Sequence, residues 1–345
     1  MYLIPDKLNN QHLFTRLDTG LLGINNLGNT CYINATLQCL LNLYNLSDFL
    51  LEKNITKNNS KEKGLIVEFI KLNKKYWEPK NNRESINPKD FLIELHKNKL
   101  FTFGEQHDAS EFLSYILNCI HEYTCHEVSF NIQSKNPETA IAKMRIMSLR
   151  SWKKYFNKYS FVIDFIYGQY KSSLTCLTCK KETISFEPFC VLDLPLPDTS
   201  INVSIYDCIN RYGNTEILES GRRCTKCKKN TQTKKNITIW KPPRILIICL
   251  KRFDKNLNKI NTNILFPKEK LTLLSRFSNK EFNYSLSGII YHIGSYYGGH
   301  YYSACRTMTS NNISKWITYD DENVQYINDN QLNSTNCYIL IYKSY

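Results

Sequence analysis

Gly23-Ile24-Asn25-Asn26-Leu27-Gly28-Asn29-Thr30-Cys31-Tyr32-Ile33-Asn34 is the stretch from which the rest of the chain is read. Small and turn-forming residues run straight into a segment where Ile33, Leu37, Leu40, Leu41 and Tyr44 recur at helical spacing. A helix is therefore expected, with Cys31 in its first turn. Unpaired N–H groups and the positive end of the helix dipole favour a thiolate there, the nucleophilic form of cysteine. The same N–H groups can donate to an oxyanion. The segment alone leaves a second reading open, in which Cys31 is a small core residue like Cys39, Cys119 or Cys249.

A nucleophile needs a base, and the chain has seven histidines. His12 and His96 sit in polar surroundings, His121 and His126 lie in or after a helical pattern, and His107 adjoins an acidic segment. His292 ends an apolar run and reads as a packed core residue. His300 differs. It follows Gly294-Ser295-Tyr296-Tyr297-Gly298-Gly299 and opens the run Tyr301-Tyr302-Ser303-Ala304-Cys305-Arg306. A glycine-rich loop feeding a histidine into a strand allows close approach by a ligand and a loop that moves. Downstream, Trp316-Ile317-Thr318-Tyr319-Asp320-Asp321 offers an acid at the end of the next strand, able to fix the imidazole tautomer.

Those segments resemble the signatures of the ubiquitin-specific proteases. Gly28 to Tyr32, with Asn34 three residues past the cysteine, is similar to the family's cysteine box, and Gly299-His300-Tyr301 to its histidine box. Gln106-His107-Asp108-Ala109-Ser110-Glu111-Phe112 is similar to its second signature. Gly168-Gln169-Tyr170, Phe186 to Phe189, Leu192 to Pro197, Pro242 to Leu246 and Leu250 to Phe253 follow in the family's order, over about residues 21–345. The resemblance implies a papain-like cysteine peptidase that cleaves after the C-terminal Gly-Gly of ubiquitin, through a thioester. It implies Cys31 as nucleophile, His300 as general base, Asp320 rather than Asp321 as the orienting acid, and Asn26 as oxyanion donor. Implied partners are ubiquitin and ubiquitinated proteins.

Helical patterns at Leu65–Tyr76, Pro88–Lys97, Asp108–Tyr123 and Pro137–Tyr159 precede β-type runs that begin with Phe161–Tyr170. Helices first and strands afterwards make an α+β fold. With the resemblance, residues 1–20 are expected as an extension and 21–345 as a catalytic domain. Within it a helical thumb would cover about 21–160, extended β fingers about 165–250, and a β palm mainly 161–175 and 240–345.

The 13 cysteines are an odd number in a large chain, which suits a reducing compartment and frees them for metal, catalysis or core. Cys176-Leu177-Thr178-Cys179 and Cys224-Thr225-Lys226-Cys227 can each present two thiolates from one tight knuckle, together a tetrahedral zinc site. The resemblance implies that this zinc is structural and sits in the fingers. Lys180 and Lys228 stand where knuckles often use glycine to relieve the turn, at a cost of roughly 1 kcal/mol each.

Asp108 and Glu111 carry two compatible readings. Asp-x-x-Glu before an apolar helix is a capping pattern, while the resemblance implies that Gln106 and Asp108 hold the arginine-bearing ubiquitin tail, with Glu111 on the same side of the helix. Tyr296, Tyr297, Gly299 and Tyr301 would line the other wall of that channel.

Composition narrows the remaining classes. Hydrophobic residues at 42% and charged residues at 22% exclude bulk disorder. The best candidate for a membrane span, Ile245 to Leu250, is only strand-sized, so a membrane partner is not expected. Residues 1–10 lack a basic region followed by an apolar stretch, so secretion is not expected and a cytoplasmic or nuclear location is. The net charge of +14 favours anionic partners, yet abundant Lys, Asn, Ile and Tyr are what an AT-rich coding sequence produces. A basic, zinc-bearing nucleic-acid-binding protein is thus the weaker alternative, because it leaves Cys31, His300 and Asp320 unexplained. An inactive ubiquitin-binding relative is the other alternative, opposed by retention of both Cys31 and His300.

Overall fold

Apolar residues at helical spacing build the first half of the molecule. The computed structural model describes residues 20–52, 57–78, 85–132, 137–199, 201–308 and 314–345; most of the expected extension, residues 1–19, lies outside them. Helix α1 (Cys31–Leu41) is buried at every one of its 11 positions. It is followed by α2 (Tyr44–Leu51), α3 (Lys63–Trp77), α4 (Lys89–His96), α5 (Ala109–Thr124) and α6 (Ala140–Tyr155). The expected single pattern through Tyr44 is broken by Asn42, which caps α1 and bonds the Tyr76 hydroxyl.

The first half of Phe161–Tyr170 departs from its expected β character, whereas Gly168–Tyr170 is strand. Residues Phe161–Phe165 form a short helix, α7. Phe161 and Phe165 stack with centroids 4.2 Å apart, an i, i+4 contact that a strand could not make. A short run buried all round, apolar but for Asp164, carries no periodicity to separate the two states.

The strands that follow are β1 (Gly168–Cys176), β2 (Glu182–Phe189) and β3 (Val191–Pro195), then helix α8 (Ile205–Tyr212). Next come β4 (Glu216–Arg223), β5 (Asn230–Lys241), β6 (Ile245–Lys251), β7 (Leu271–Ser275) and β8 (Lys280–Ser295). The chain ends with β9 (Gly298–Met308), β10 (Ser314–Asp320), β11 (Asn323–Ile327) and β12 (Cys337–Ser344). Strands β2-β1-β5-β4 make an antiparallel four-stranded sheet. Its far end carries the two cysteine knuckles.

The larger sheet runs β11-β10-β9-β8-β12-β6-β3, with β7 added to β8. Only its β3–β6 pair is parallel. Strand β6 lies inside this sheet, and its run Ile245 to Leu250 is buried on both faces. Ile245, Ile247 and Cys249 join the core shared with the helices, whereas Leu246, Ile248 and Leu250 join the core on the opposite face. Helix α1 packs across the first face, against β9 above all and also against β8 and β10.

Candidate active site

The loop before α1 is organised by one side chain. Asn26 Oδ1 accepts from the backbone N–H of Gly28 (3.0 Å) and Thr30 (3.2 Å). Asn29 adopts φ 53°, a left-handed conformation that asparagine tolerates better than most residues. Cys31 opens the helix with only 3% of its surface exposed. Burial raises its thiol pKa above the ordinary value. The backbone N–H groups of Tyr301, Tyr32 and Cys31 itself pull the other way, and the charge of Asp321 raises it further. The N–H of Tyr301 thus faces the sulfur, which places the thiol beside the residue following His300.

His300 reaches that position through a hairpin. The sequence suggests a mobile glycine-rich loop over 294–299, but β8 and β9 continue their pairing to Gly294↔Gly299 and Ser295↔Gly298, leaving a tight turn at Tyr296-Tyr297. Strict register needs Gly299: a Cβ there would lie 2.4 Å from His292 Nε2 and 2.3 Å from the carbonyl oxygen of Ile293. The β9–β10 register pairs Ser303 with Tyr319. Asp320 therefore falls on the same sheet face as His300, one diagonal step away. The contact is made, with His300 Nε2 2.5 Å from Asp320 Oδ1. The two side chains keep 40% and 53% of their surface exposed, so a bound substrate would take both out of water.

Asp321 does different work from its neighbour. Its backbone is left-handed, φ 52°. Its Oδ2 accepts from Asn26 Nδ2 at 2.8 Å, its Oδ1 from Asn34 Nδ2 at 2.7 Å, and its carbonyl from the N–H of Ile24 at 2.9 Å. One carboxylate thus fixes the amide of Asn26, the first turn of α1 and the end of β10 relative to each other. This clamp was not read from the sequence. Its only trace there is the pair of asparagines flanking Cys31.

The expected tail-binding residues divide. Gln106 spans the gap between the segment before α5 and the hairpin, donating from Nε2 to Gly299 O (3.1 Å) and accepting from Gly299 N–H (2.9 Å). Asp108 caps α5, accepting from Ser110 N–H at 2.7 Å and Glu111 N–H at 3.2 Å through Oδ1, while its Oδ2 takes the Tyr338 hydroxyl. Glu111 is exposed. Tyr296 and Tyr297 are 54% and 84% exposed, Tyr296 resting edge-on against Phe253. Tyr301 turns its ring into the core beside His292 and Tyr338, so it offers the site its N–H and not its ring. His292 is 4% exposed and its pKa is lowered to about 4, first by burial and then by the charge of Lys259.

The four knuckle cysteines converge. Cys176 and Cys227 sulfurs are 3.9 Å apart, Cys179 and Cys224 sulfurs 3.6 Å, and all four lie within 4.8 Å of one another. A tetrahedral zinc with Zn–S bonds of ~2.3 Å requires S···S edges of ~3.8 Å. The donors fit that ion. Lys180 and Lys228 take φ 58° and 60°, the left-handed turn that the knuckle geometry imposes.

A buried thiol at a helix start, an imidazole one residue from its N–H donor and an acid on that imidazole define a cysteine-hydrolase type of site. Residues 22–342 match the family model described as ubiquitin carboxyl-terminal hydrolase. The chain belongs to that family. It is 30% identical to human ubiquitin carboxyl-terminal hydrolase 21 over 362 residues, covering 95% of this chain and 62% of the relative. To human ubiquitin carboxyl-terminal hydrolase 2 it is 31% identical, covering 94% of this chain and 55% of that one. The chain thus spans less than two thirds of either relative's length. Among solved structures it is similar to a SAGA DUB module of Ubp8, Sgf11, Sus1 and Sgf73 bound to monoubiquitin, with TM-score 0.71 and 25% identity over 96% of this chain and 70% of that one.

Proposed function

We propose that this protein is a thiol-dependent deubiquitinase that hydrolyses the peptide or isopeptide bond after the C-terminal glycine of ubiquitin. The observation that carries the reading is the His300–Asp320 contact set one residue from the N–H that faces Cys31. With Nε2 bonded to Asp320, Nδ1 is the imidazole nitrogen left to take the thiol proton. The resulting thiolate attacks the glycine carbonyl, and the oxyanion is met by the Cys31 N–H and the Asn26 amide. His300 then hands its proton to the departing amine. Water, deprotonated by His300, hydrolyses the thioester and frees the carboxylate. Burial holds the free thiol above its ordinary pKa, so attack requires His300 to take its proton.

Ubiquitin and ubiquitinated proteins are the partners this reading assigns, in the reducing intracellular setting that a catalytic thiol needs. The monoubiquitin in the similar DUB module supports it. Gln106 and the Tyr296-Tyr297 turn would flank the ubiquitin tail, which must pass the Gln106–Gly299 bridge. Cys176, Cys179, Cys224 and Cys227 would hold a zinc ion whose contribution is structural, joining the turn between β1 and β2 to the turn between β4 and β5. The decisive experiment is reaction with ubiquitin bearing a C-terminal electrophile. A covalent adduct is expected with the wild type and none with Cys31→Ala. An adduct that persists in the variant, or none with either, overturns the assignment.

A further inference from the structure

The tip of the four-stranded sheet concentrates positive charge that the sequence spreads over 50 residues. Lys180 and Lys181 leave the first knuckle, Arg222 and Arg223 lead into the second, and Lys226, Lys228 and Lys229 run through it. All seven are exposed. Among the described residues none of them enters an ion pair, and Glu182 is the sole carboxylate in either knuckle. A zinc held by four thiolates carries two negative charges, so the tip remains strongly positive with the metal bound.

The fold gathers these residues at one end of the sheet. The register Arg222↔Thr231 and Arg223↔Asn230 puts the arginines at the last two positions of a paired strand, one on each face of the tip. Lys181 Nζ donates to Thr225 Oγ1 at 2.8 Å, tying one knuckle to the other. Thr178, Thr225 and Asn230, all exposed, add hydroxyl and amide donors among the cations. Cations interspersed with small hydrogen-bond donors match phosphate oxygens. No aromatic residue lies in 176–182 or 222–230, so nothing is present on which an unpaired base could stack. The chemistry therefore suits backbone and not bases.

We propose that this zinc-bearing fingertip is a docking surface for the phosphate backbone of duplex nucleic acid. It is separate from the hydrolytic site and does not depend on the function proposed above. Sequence-independent binding is expected. Contact with about five phosphates gives a slope near −4.5 in log K against log salt, so binding weakens roughly 500-fold between 50 and 200 mM salt.

The test is fluorescence anisotropy of the full chain with labelled 20-base-pair duplexes, in DNA and RNA arms that identify which backbone is preferred. Lys226→Glu with Lys229→Glu should weaken binding at least tenfold and flatten the salt slope by about 2. Lys74→Glu with Lys75→Glu, the same charge change on exposed positions of α3, should weaken it less than threefold. Zinc content and the ubiquitin-probe reaction should match wild type; if reversal costs zinc, Lys226→Ala with Lys229→Ala takes its place. Equal weakening by both pairs would mean that net charge alone binds duplex. Displacement by polyglutamate as effectively as by duplex would make the ligand an acidic polypeptide. Either result, or no duplex binding by wild type, overturns the proposal.

Discussion

Asp321→Asn should separate thiol reactivity from turnover. The substitution keeps the size of the side chain and suits the left-handed backbone at φ 52°, so local strain changes little. It removes the charge from two amide-to-carboxylate hydrogen bonds of 2.8 and 2.7 Å, to Asn26 and Asn34. It also turns an NH2 group toward one of them. Bonds to a charged partner contribute about 1.5–3 kcal/mol each, and both lie at a partly solvated site. Taking the lower figure, and with one of the two kept as a neutral bond of about 1 kcal/mol, about 2 kcal/mol of clamping is lost. Two consequences of opposite sign follow. The negative charge that raises the Cys31 pKa is gone, so the thiol titrates at lower pH and reacts faster with iodoacetamide at neutral pH. The Asn26 amide is no longer aimed, and kcat for a ubiquitin substrate should fall by up to about 10²-fold, the lower range for loss of one oxyanion donor. KM should stay within about twofold. The assay pairs the pH dependence of alkylation with steady-state hydrolysis on protein of verified zinc content and melting behaviour. A variant that is folded and retains kcat within twofold refutes the clamp's role. An unchanged thiol titration refutes the electrostatic link between Asp321 and Cys31.

For Asp108→Ala, loss of the α5 cap should lower stability by about 1 kcal/mol in denaturant unfolding. If the residue also touches the tail, KM for ubiquitin substrates should rise while a small thioester is hydrolysed unchanged; a stability loss with unaltered KM leaves capping as its whole role. Cys224→Ser should reduce bound zinc from about one per chain to none by metal analysis, with a large fall in melting temperature, since structural zinc supplies ~10–16 kcal/mol in small zinc domains; a zinc-free wild type or an unmoved melting point would refute the site. His292 supplies a pH dependence. Its folded pKa is lowered to about 4, below the unfolded value near 6.5, so the unfolded chain binds the extra proton. Stability should therefore fall as pH drops from about 6.5 toward 4. In His292→Phe the slope of melting temperature over that window should be shallower; an identical slope assigns the acid sensitivity elsewhere.

Local chemistry was legible in the sequence wherever one short segment contains its own reason. Cys31 follows turn residues and precedes a helical repeat, and the paired Cys-x-x-Cys spacings describe knuckles that do close on one another, down to the left-handed lysines. Asp108 before an apolar helix reads as a cap and is one. Asp320, at a strand end, reads as an acid within reach of His300 and lies there. What the sequence by itself could not determine depends on which segments meet. Phe161–Phe165 is buried on all sides, so its pattern does not separate helix from strand and only its packing makes it helical. The 294–299 segment reads as a loop because glycines permit one; the β8–β9 register and the His292 ring beneath Gly299 make it a hairpin. Tyr301 is an aromatic beside a catalytic candidate in sequence, yet strand alternation sends its ring into the core and leaves only its N–H at the site. The two adjacent acids, alike in sequence, part because β10 ends between them: Asp320 keeps the face of the sheet, and the left-handed turn at Asp321 swings the second carboxylate toward Asn26 and Asn34. Bonds spanning 295 and 287 residues leave no periodicity or local propensity behind, and only the tertiary structure decides them.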